Sequence, residues 1–293
     1  MRHLTLARGL SVLALGLALS GCSVRDAGNE PLTLKSDIPA TGLQHLVFEG
    51  TAGQAKISAS PDDAVHVTLK LQQEEKRLFG VRLPSESTSK DMEAAKVGQE
   101  RKGDSLTLAV AFPSGDDHNS DVKQDWEVQV PARFGIDASM KEGRIVIGGV
   151  SGGVKASLSA GETLIHVVSG PVYARMGAGR LSVIADDSRP GAVHVKSTFG
   201  LAIADLQGTY YGPPEQHGGF KFFGDSVNEQ GQGKDDFDLK VTAGLASLRI
   251  GPQGDEKEYR DLFSDEREAK MEKKDQAKQD AKKSDKDKDD DDD

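Results

Sequence analysis

The chain has 293 residues, 29% of them charged and 36% hydrophobic, and a formal net charge of −10. This composition indicates a globular body with a polar appendage. It excludes the broad positive surface of a typical nucleic-acid-binding protein, so we expect no nucleic-acid partner.

The N-terminus has the organisation of a bacterial secretory signal. Basic residues within the first eight positions precede an apolar segment, residues 9–20, which is too short to span a bilayer. The segment ends in Leu19-Ser20-Gly21-Cys22, which resembles the lipobox of bacterial lipoproteins. We therefore predict a signal peptide over residues 1–21 and lipidation of Cys22 by acyl chains such as palmitate. A non-lipidated signal or a signal anchor is the alternative.

Lipidation of Cys22 would set both the location and the redox chemistry of the protein. Ser23 follows the cysteine, which resembles sorting to the outer membrane, so we expect a membrane-anchored protein of the cell envelope. Cys22 is the only cysteine, and its use would exclude disulfides and cysteine metal sites. Residues 22–40 are polar and contain two prolines, which predicts a tether between the lipid and the body.

The body is predicted to span residues 41–251, and its first half alternates between apolar and polar residues as strands do. The predicted strands are Leu46–Phe48, Ala55–Ile57, Val65–Leu71, Ser105–Phe112 and Trp126–Pro131. Residues 91–101 have the composition of a short helix, and residues 116–125 are predicted to form a polar loop.

A nine-residue repeat begins at Gly143. Glycines recur at this spacing, and apolar or small residues mostly occupy the second and fourth positions after them. The glycines are Gly143, Gly152, Gly161, Gly170 and Gly179, followed after a three-residue insertion by Gly191 and by a looser copy at Gly200, with Leu201 and Ile203. Because side chains alternate across a strand and nine is odd, the apolar residues stay on one face only if a corner residue resets the pleat. Glycine does this because it tolerates positive φ.

Short strands joined by glycine corners predict an all-β fold, a single-stranded β-solenoid or β-helix-like structure. A β-sandwich of regularly spaced hairpins is the alternative, although the repeat region contains no Asn-Gly or Asp-Gly turn. In the solenoid register Ile165 and Val183 face inward, whereas Leu164 and Ser182 lie outside. Lys155, Tyr173 and His194 would then form one outward row and a possible partner surface.

The last third of the chain contains a loop-rich segment, a final strand pattern and a charged tail. Residues 210–236 predict a loop-rich excursion with a short strand at 220–223, and residues 239–250 return to alternation and close the body. Residues 252–293 form a low-complexity segment; from residue 255 onward it holds 17 acidic and 11 basic residues, which predicts a disordered or partly helical charged tail.

No arrangement of residues predicts catalysis, a cofactor or a metal. The repeats lack the recurring aspartate of calcium-binding nonapeptides. The six histidines of the mature chain are scattered, and each is predicted to be a surface residue. The two acid clusters of the body, Asp186-Asp187 and Asp235-Asp236-Asp238, could bind a divalent ion, but they lie beside turns, where solvated acids are common.

The sequence also resembles a known family. Residues 102–108, 127–131, 136–139 and 143–152 together are similar to the adhesin-like β-helical domain of unknown function, which is common in bacterial lipoproteins and cell-surface proteins. The resemblance covers about residues 42–250. It implies a β-solenoid at the cell surface or envelope, and it transfers no catalytic residue.

Together these features predict a non-catalytic envelope lipoprotein, a surface-binding or structural, adhesin-like module that contacts an envelope protein or polysaccharide. A β-helical carbohydrate-active enzyme is the alternative. An enzyme would gather aspartate, arginine and aromatic residues in one cleft. A spacer without a specific ligand is a third possibility.

Overall fold

The computed structural model describes residues 31–251, with gaps at 74–76, 79–80, 83–90, 114–121, 187, 207–208 and 212–223. The signal peptide, Cys22, the tail over residues 252–293 and the predicted strand at 220–223 lie outside the described residues. The all-β prediction is confirmed, since sixteen strands account for most of the described chain.

The strands are β1 Leu32–Pro39, β2 His45–Glu49, β3 Ala52–Ser60, β4 Ala64–Gln73, β5 Arg77–Leu78, β6 Val81–Arg82, β7 Lys96–Lys102, β8 Ser105–Ala111, β9 Val122–Pro131, β10 Gly135–Val150, β11 Val154–Val167, β12 Val172–Ala185, β13 Pro190–Leu206, β14 Thr209–Tyr211, β15 Asp225–Gln230 and β16 Asp235–Ile250. Fourteen of them form one sheet, and β5 and β6 form a separate hairpin.

Five long strands, β10, β11, β12, β16 and β13, dominate the sheet, and each contains a glycine with positive φ near its middle. We call the part before this glycine the first arm and the part after it the second arm. Parallel pairing matches Gly143 with Gly161 and Gly161 with Gly179, an offset of 18 residues. The nine-residue repeat is therefore half of an 18-residue unit, because Gly152 and Gly170 lie between strands and not within them.

The corner glycines stack on one another across the sheet. They are, in spatial order, Gly53, Gly143, Gly161, Gly179, Gly244 and Gly200. Their φ angles lie between +115° and +146°. A Cβ atom on any of the last five would lie 1.8 or 1.9 Å from the carbonyl oxygen of the glycine before it in the stack. Only glycine fits such a column, which we call the glycine column.

The spatial order of the strands departs from their order in the sequence. β16 lies between β12 and β13, so the copy at Gly200 stacks on Gly244 and not on Gly179. A strictly serial solenoid would stack each copy on the one before it. That order holds from β10 to β12 and is broken after β12, where the predicted three-residue insertion occurs.

The two arms belong to different edges of the sheet. First arms continue through β2 to β8 and β7, whereas second arms continue through β3 and β9 to β4 and β1. Inward side chains from both arms form one hydrophobic core. Phe48 of β2 meets Trp126 of β9 edge to face, with ring centroids 5.2 Å apart. The core therefore lies between the arms.

The predicted register of the repeats is confirmed for the inward positions. Ile165 and Val183 are 0% and 1% exposed. The assignment of Leu201 and Ile203 is wrong, because Ala202 and Ala204 are the buried residues of that copy. These alanines are the second and fourth residues after Gly200, so this copy also places its second and fourth residues inward. The larger hydrophobic side chains of Leu201 and Ile203 suggested the opposite.

Three other segments differ from the sequence predictions. Residues 32–39, predicted as part of the tether, form edge strand β1 and pair with β4 over eight residues. The helix predicted over 91–101 is a single turn at 91–93. Most of the remaining residues, from Lys96 onward, belong to β7, which pairs with β8. β14 and β15 lie inside the predicted loop and pair with β13.

Candidate partner-binding surface

The predicted partner residues lie on one row of the sheet. Parallel pairing places Lys155 beside Tyr173, and both Tyr173 and His194 beside Asp238. All three predicted residues are exposed, and Tyr173, at 44%, is one of the few large hydrophobic residues exposed on the described surface. Asp238 was not foreseen in this row, because the insertion of β16 between β12 and β13 is not visible in the repeat spacing.

Polar contacts hold the charged groups of this row in place. The Lys155 ammonium donates to Asp137 Oδ2 over 2.9 Å, and Asp137 is the next residue of the row on β10. The Asp238 carboxylate accepts from the Lys240 Nζ atom at 2.7 Å. At the other end, His194 Nδ1 lies 2.9 Å from the Asn228 side-chain oxygen on β15.

A second outward row follows two residues further along each first arm, and sequence analysis did not single it out. Pairing places Arg175 opposite Lys240 and Lys240 opposite Lys196, and all three side chains are exposed. Ser157 and Ser139 continue the row on β11 and β10. The alternation of strand side chains predicts that each of these residues shares a face with the first row, but only the strand order shows that the three cations are neighbours.

The outer face of the second arms is different. Val146 and Leu164 are paired neighbours there, and they are 2% and 5% exposed. The prediction that Leu164 lies outside at the surface is therefore wrong. An outward direction does not ensure exposure, because a residue in the middle of a wide sheet has neighbours along its own strand and on both adjoining strands. The Arg144–Glu162 ion pair, at 3.1 Å, occupies the adjoining row.

Two histidines lie beside aspartates, and one of them, His166, departs from the expected surface position. His166 is 8% exposed, and its Nε2 atom lies 2.7 Å from Asp186 Oδ2. His66 on β4 lies between two carboxylates, with Nδ1 2.6 Å from Asp37 on β1 and Nε2 3.0 Å from Asp62. The hydrogen bond to Asp37, followed by that to Asp62, raises the pKa of His66 above its ordinary value of 6.5. These contacts join edge strand β1 to the body.

The described residues of the two predicted acid clusters are buried or contact other groups of the protein. Asp235 is buried, Asp236 accepts a hydrogen bond from the Ala192 amide, and Asp238 binds Lys240. Within the described part of the chain, no group of three or more histidine, cysteine, aspartate or glutamate residues is arranged to hold a metal ion. Asp187 lies outside the described residues.

The described helical structure contains nothing long and apolar enough to cross a membrane. Lipidation at Cys22 lies outside the described residues and stays a prediction.

Comparison with solved structures finds two partly similar chains. One is a proposed cell adhesion protein from Clostridium sporogenes ATCC 15579, with 13% identity, a TM-score of 0.47 and coverage of 76% of this chain and 100% of that one. The other is a proposed adhesin from Bacteroides fragilis NCTC 9343, with 10% identity, a TM-score of 0.28 and coverage of 74% and 96%. Neither likeness is close enough to carry a functional argument. No protein-family model matches the sequence, and no curated protein matches it.

Proposed function

We propose that this protein is a non-catalytic envelope lipoprotein that presents the outer face of its first arms to a protein or polysaccharide partner. The observation that carries the proposal is a row across four neighbouring strands, in which Lys155, Tyr173 and His194 are exposed and Asp238 is half-buried. Rigid strands hold these side chains at fixed spacing, so binding would require little reorganisation. Exposed tyrosine is typical of recognition surfaces.

The anchor and the body fit together in this proposal. Lipidated Cys22 would hold the chain on the outer membrane, and the folded body begins at Leu32 in β1. The nine intervening residues span at most about 30 Å when fully extended. The body would therefore stay close to the membrane surface. The tether is shorter than the sequence predicted, because residues 32–39 belong to the sheet.

The architecture proposed for this module is solenoid-like. Two nine-residue halves form one 18-residue coil, and parallel stacking of β10, β11, β12, β16 and β13 produces the flat first-arm face. The glycine column supports this interpretation, since it keeps the same corner in every coil. The out-of-sequence position of β16 makes the last coils non-serial.

The structure also bears on the enzymatic alternative. The first-arm face does bring together Asp137, Asp238, Arg175 and Tyr173. However, both aspartates are bound to lysines, and the side chains of Lys155 and Asp137 are 69% and 46% exposed. This geometry favours binding over catalysis.

Metabolic labelling tests the anchor. Cells that produce the wild-type chain or Cys22→Ser are grown with labelled palmitate, and we expect label only in the wild type because Cys22 is the only thiol in the chain. Cys22→Ser should also retain its signal peptide. Label in the Ser variant would contradict the anchoring part of the proposal.

Co-sedimentation tests the surface. The mature protein is mixed with peptidoglycan sacculi and, separately, with immobilised outer-membrane polysaccharide freed of protein. We expect binding to one of them, and a loss of about tenfold or more in Lys155→Ser/Tyr173→Ser, because a central exposed tyrosine is a typical hot spot.

Leu201→Ser/Lys70→Ser is the control, since it removes an exposed large hydrophobic residue from the second arm of β13 and an exposed lysine from β4. Equal affinity of the two double variants would overturn the proposed surface, and no binding by the wild type to either material would reject the polysaccharide partner.

A further inference from the structure

The second outward row of the first arms places three cations side by side. Arg175 on β12, Lys240 on β16 and Lys196 on β13 are register partners, so their backbones are separated by the strand spacing of about 4.8 Å. All three side chains are exposed. Like charges directly opposite each other on a sheet are destabilising, so the row weakens the fold that carries it.

The surroundings of this row concentrate positive charge on one face. Ten outward residues make up the two rows on the five first arms: Asp137, Ser139, Lys155, Ser157, Tyr173, Arg175, Asp238, Lys240, His194 and Lys196. They include four lysine or arginine residues and two aspartates, a net charge of +2 with neutral histidine, on a chain whose net charge is −10. Both aspartates are engaged by lysines of the same face.

We propose that the row formed by Arg175, Lys240 and Lys196, which we call the cationic row, binds a linear anionic polysaccharide, with Tyr173 packing against a sugar ring beside it. This inference rests on the proposed function and specifies its ligand. Closely spaced cations on one face are complementary to a polymer that carries negative groups at short intervals along its length. Arg175 can bind a carboxylate or phosphate through two hydrogen bonds, and the lysines supply point charges.

The same observations favour a polysaccharide over an anionic membrane surface. Tyr173 is the only large exposed hydrophobic residue among the ten residues of the two rows, so this face offers little for insertion among lipid chains. The aspartates within the face and the negative charge of the whole chain oppose contact with a continuous negative surface. A single polymer strand can follow the cationic row and meets only one of these acids, Asp238, with which it competes for the Lys240 ammonium.

The test uses the full mature protein with four probes of known composition. They are polygalacturonate, neutral dextran of similar length, a polyglutamate peptide, and vesicles containing phosphatidylglycerol. We expect binding to polygalacturonate that weakens with salt, no binding to dextran, and at least tenfold weaker binding to polyglutamate and to vesicles. The polymer should keep its length after incubation.

Lys240→Thr probes the centre of the row. It should weaken polygalacturonate binding by a factor of about 1.5 to 5, and the triple variant Arg175→Thr/Lys240→Thr/Lys196→Thr by about tenfold or more, as expected for exposed ion pairs. The melting temperature should change little, because the substitution removes the Lys240–Asp238 ion pair but relieves two like-charge contacts, and threonine is favoured in strands. Lys70→Thr removes the same charge from an exposed position on β4 and should leave binding unchanged.

Several results would overturn the inference. Equally strong binding to polyglutamate would show nonspecific attraction of anions, and equally strong binding to vesicles would show a membrane contact. Shortening of the polygalacturonate would support the enzymatic alternative instead. An unchanged affinity in the triple variant would exclude the cationic row. If the wild-type protein does not bind polygalacturonate but binds sacculi in a manner that depends on Tyr173, this ligand is rejected and the proposed function stands.

Discussion

Replacement of Gly161 by alanine should break the body at the glycine column. A Cβ atom there would lie 1.9 Å from the carbonyl oxygen of Gly143, whereas real Cβ contacts essentially never fall below 3.0 Å. The obstructing atom belongs to the backbone of β10, so no side-chain rotation can relieve the contact. The two strands would have to separate locally by about 1 Å, a fifth of the usual strand spacing.

The expected cost combines two effects. The φ angle of Gly161 is +133°, and placing an L-residue at positive φ costs about 1–2 kcal/mol. Separation of β10 and β11 near the corner would weaken one or two ladder hydrogen bonds, each worth about 1 kcal/mol. We therefore expect Gly161→Ala to lower the free energy of unfolding by roughly 3 kcal/mol, out of about 5–15 kcal/mol for a typical domain.

Gly103→Ala separates the steric effect from the backbone effect. Gly103 has a φ of +65°, and nothing lies within 4 Å of a Cβ atom placed there. Only the conformational cost remains, so we expect a loss of about 1–2 kcal/mol.

Chemical denaturation followed by circular dichroism measures both variants on the mature chain. A difference of less than about 1 kcal/mol between them would refute the claim that close backbone stacking makes glycine necessary at Gly161.

Three further predictions follow from the register and the contacts. Ile165→Asp should cost several kcal/mol in denaturant unfolding because it buries an unpaired charge, whereas Ser182→Asp, at a half-buried outward position, should cost about 1 kcal/mol or less; equal effects would contradict the register. Thr163→Val should raise the free energy of unfolding by about 1 kcal/mol, because the buried Thr163 hydroxyl has no hydrogen-bond partner among the described residues; a loss of stability would show that the hydroxyl is satisfied. His66→Gln should destabilise the protein more at about pH 5 than at about pH 8, since a raised histidine pKa contributes stability below 6.5 that is lost as the pH rises through the folded value. A difference that is independent of pH would contradict the proposed contribution of the hydrogen bonds from His66 to Asp37 and Asp62, which we call the His66 clamp.

The pH window of the His66 clamp has an acidic limit as well. The hydrogen bond from the Ser60 hydroxyl, followed by that from His66, lowers the pKa of Asp62 below its ordinary value of 3.8. Stability from this lowered pKa is present above 3.8 and is lost as the pH falls through the folded value. The contribution of the clamp should therefore be largest between the two ordinary pKa values.

Much of the local structure was predictable because it depends on near neighbours in the chain. Alternation predicted five of the early strands, and the spacing of glycines predicted the inward positions of Ile165 and Val183. Positive φ at Gly161 also followed from the odd length of the repeat, since the pleat has to be reset once per half unit. These features are set by side-chain periodicity and by the conformational freedom of glycine.

The sequence predictions were wrong for two segments whose local composition is typical of a structure other than the strand that they form. Residues 91–101 resemble a helix, but β7 pairs with the exposed edge of β8, and ladder hydrogen bonds decide between the two structures. Residues 32–39 are polar enough for a tether, yet β1 completes the edge of β4 and is held by His66. The partner strand decides the structure of such segments, and for β1 the paired residues of β4 lie 25 to 39 positions away in the sequence.

What the sequence determined by itself is the composition of each strand face: which residues point inward, and that Lys155, Tyr173 and His194 share the outer face. Only the tertiary structure decided which of these faces are neighbours. The pairing of β16 with both β12 and β13 places Asp238 in the first row and assembles Arg175, Lys240 and Lys196 into the cationic row. The physical reason is that periodicity acts within a strand, whereas the order of strands depends on loop closure and on the burial of the final coil between two others.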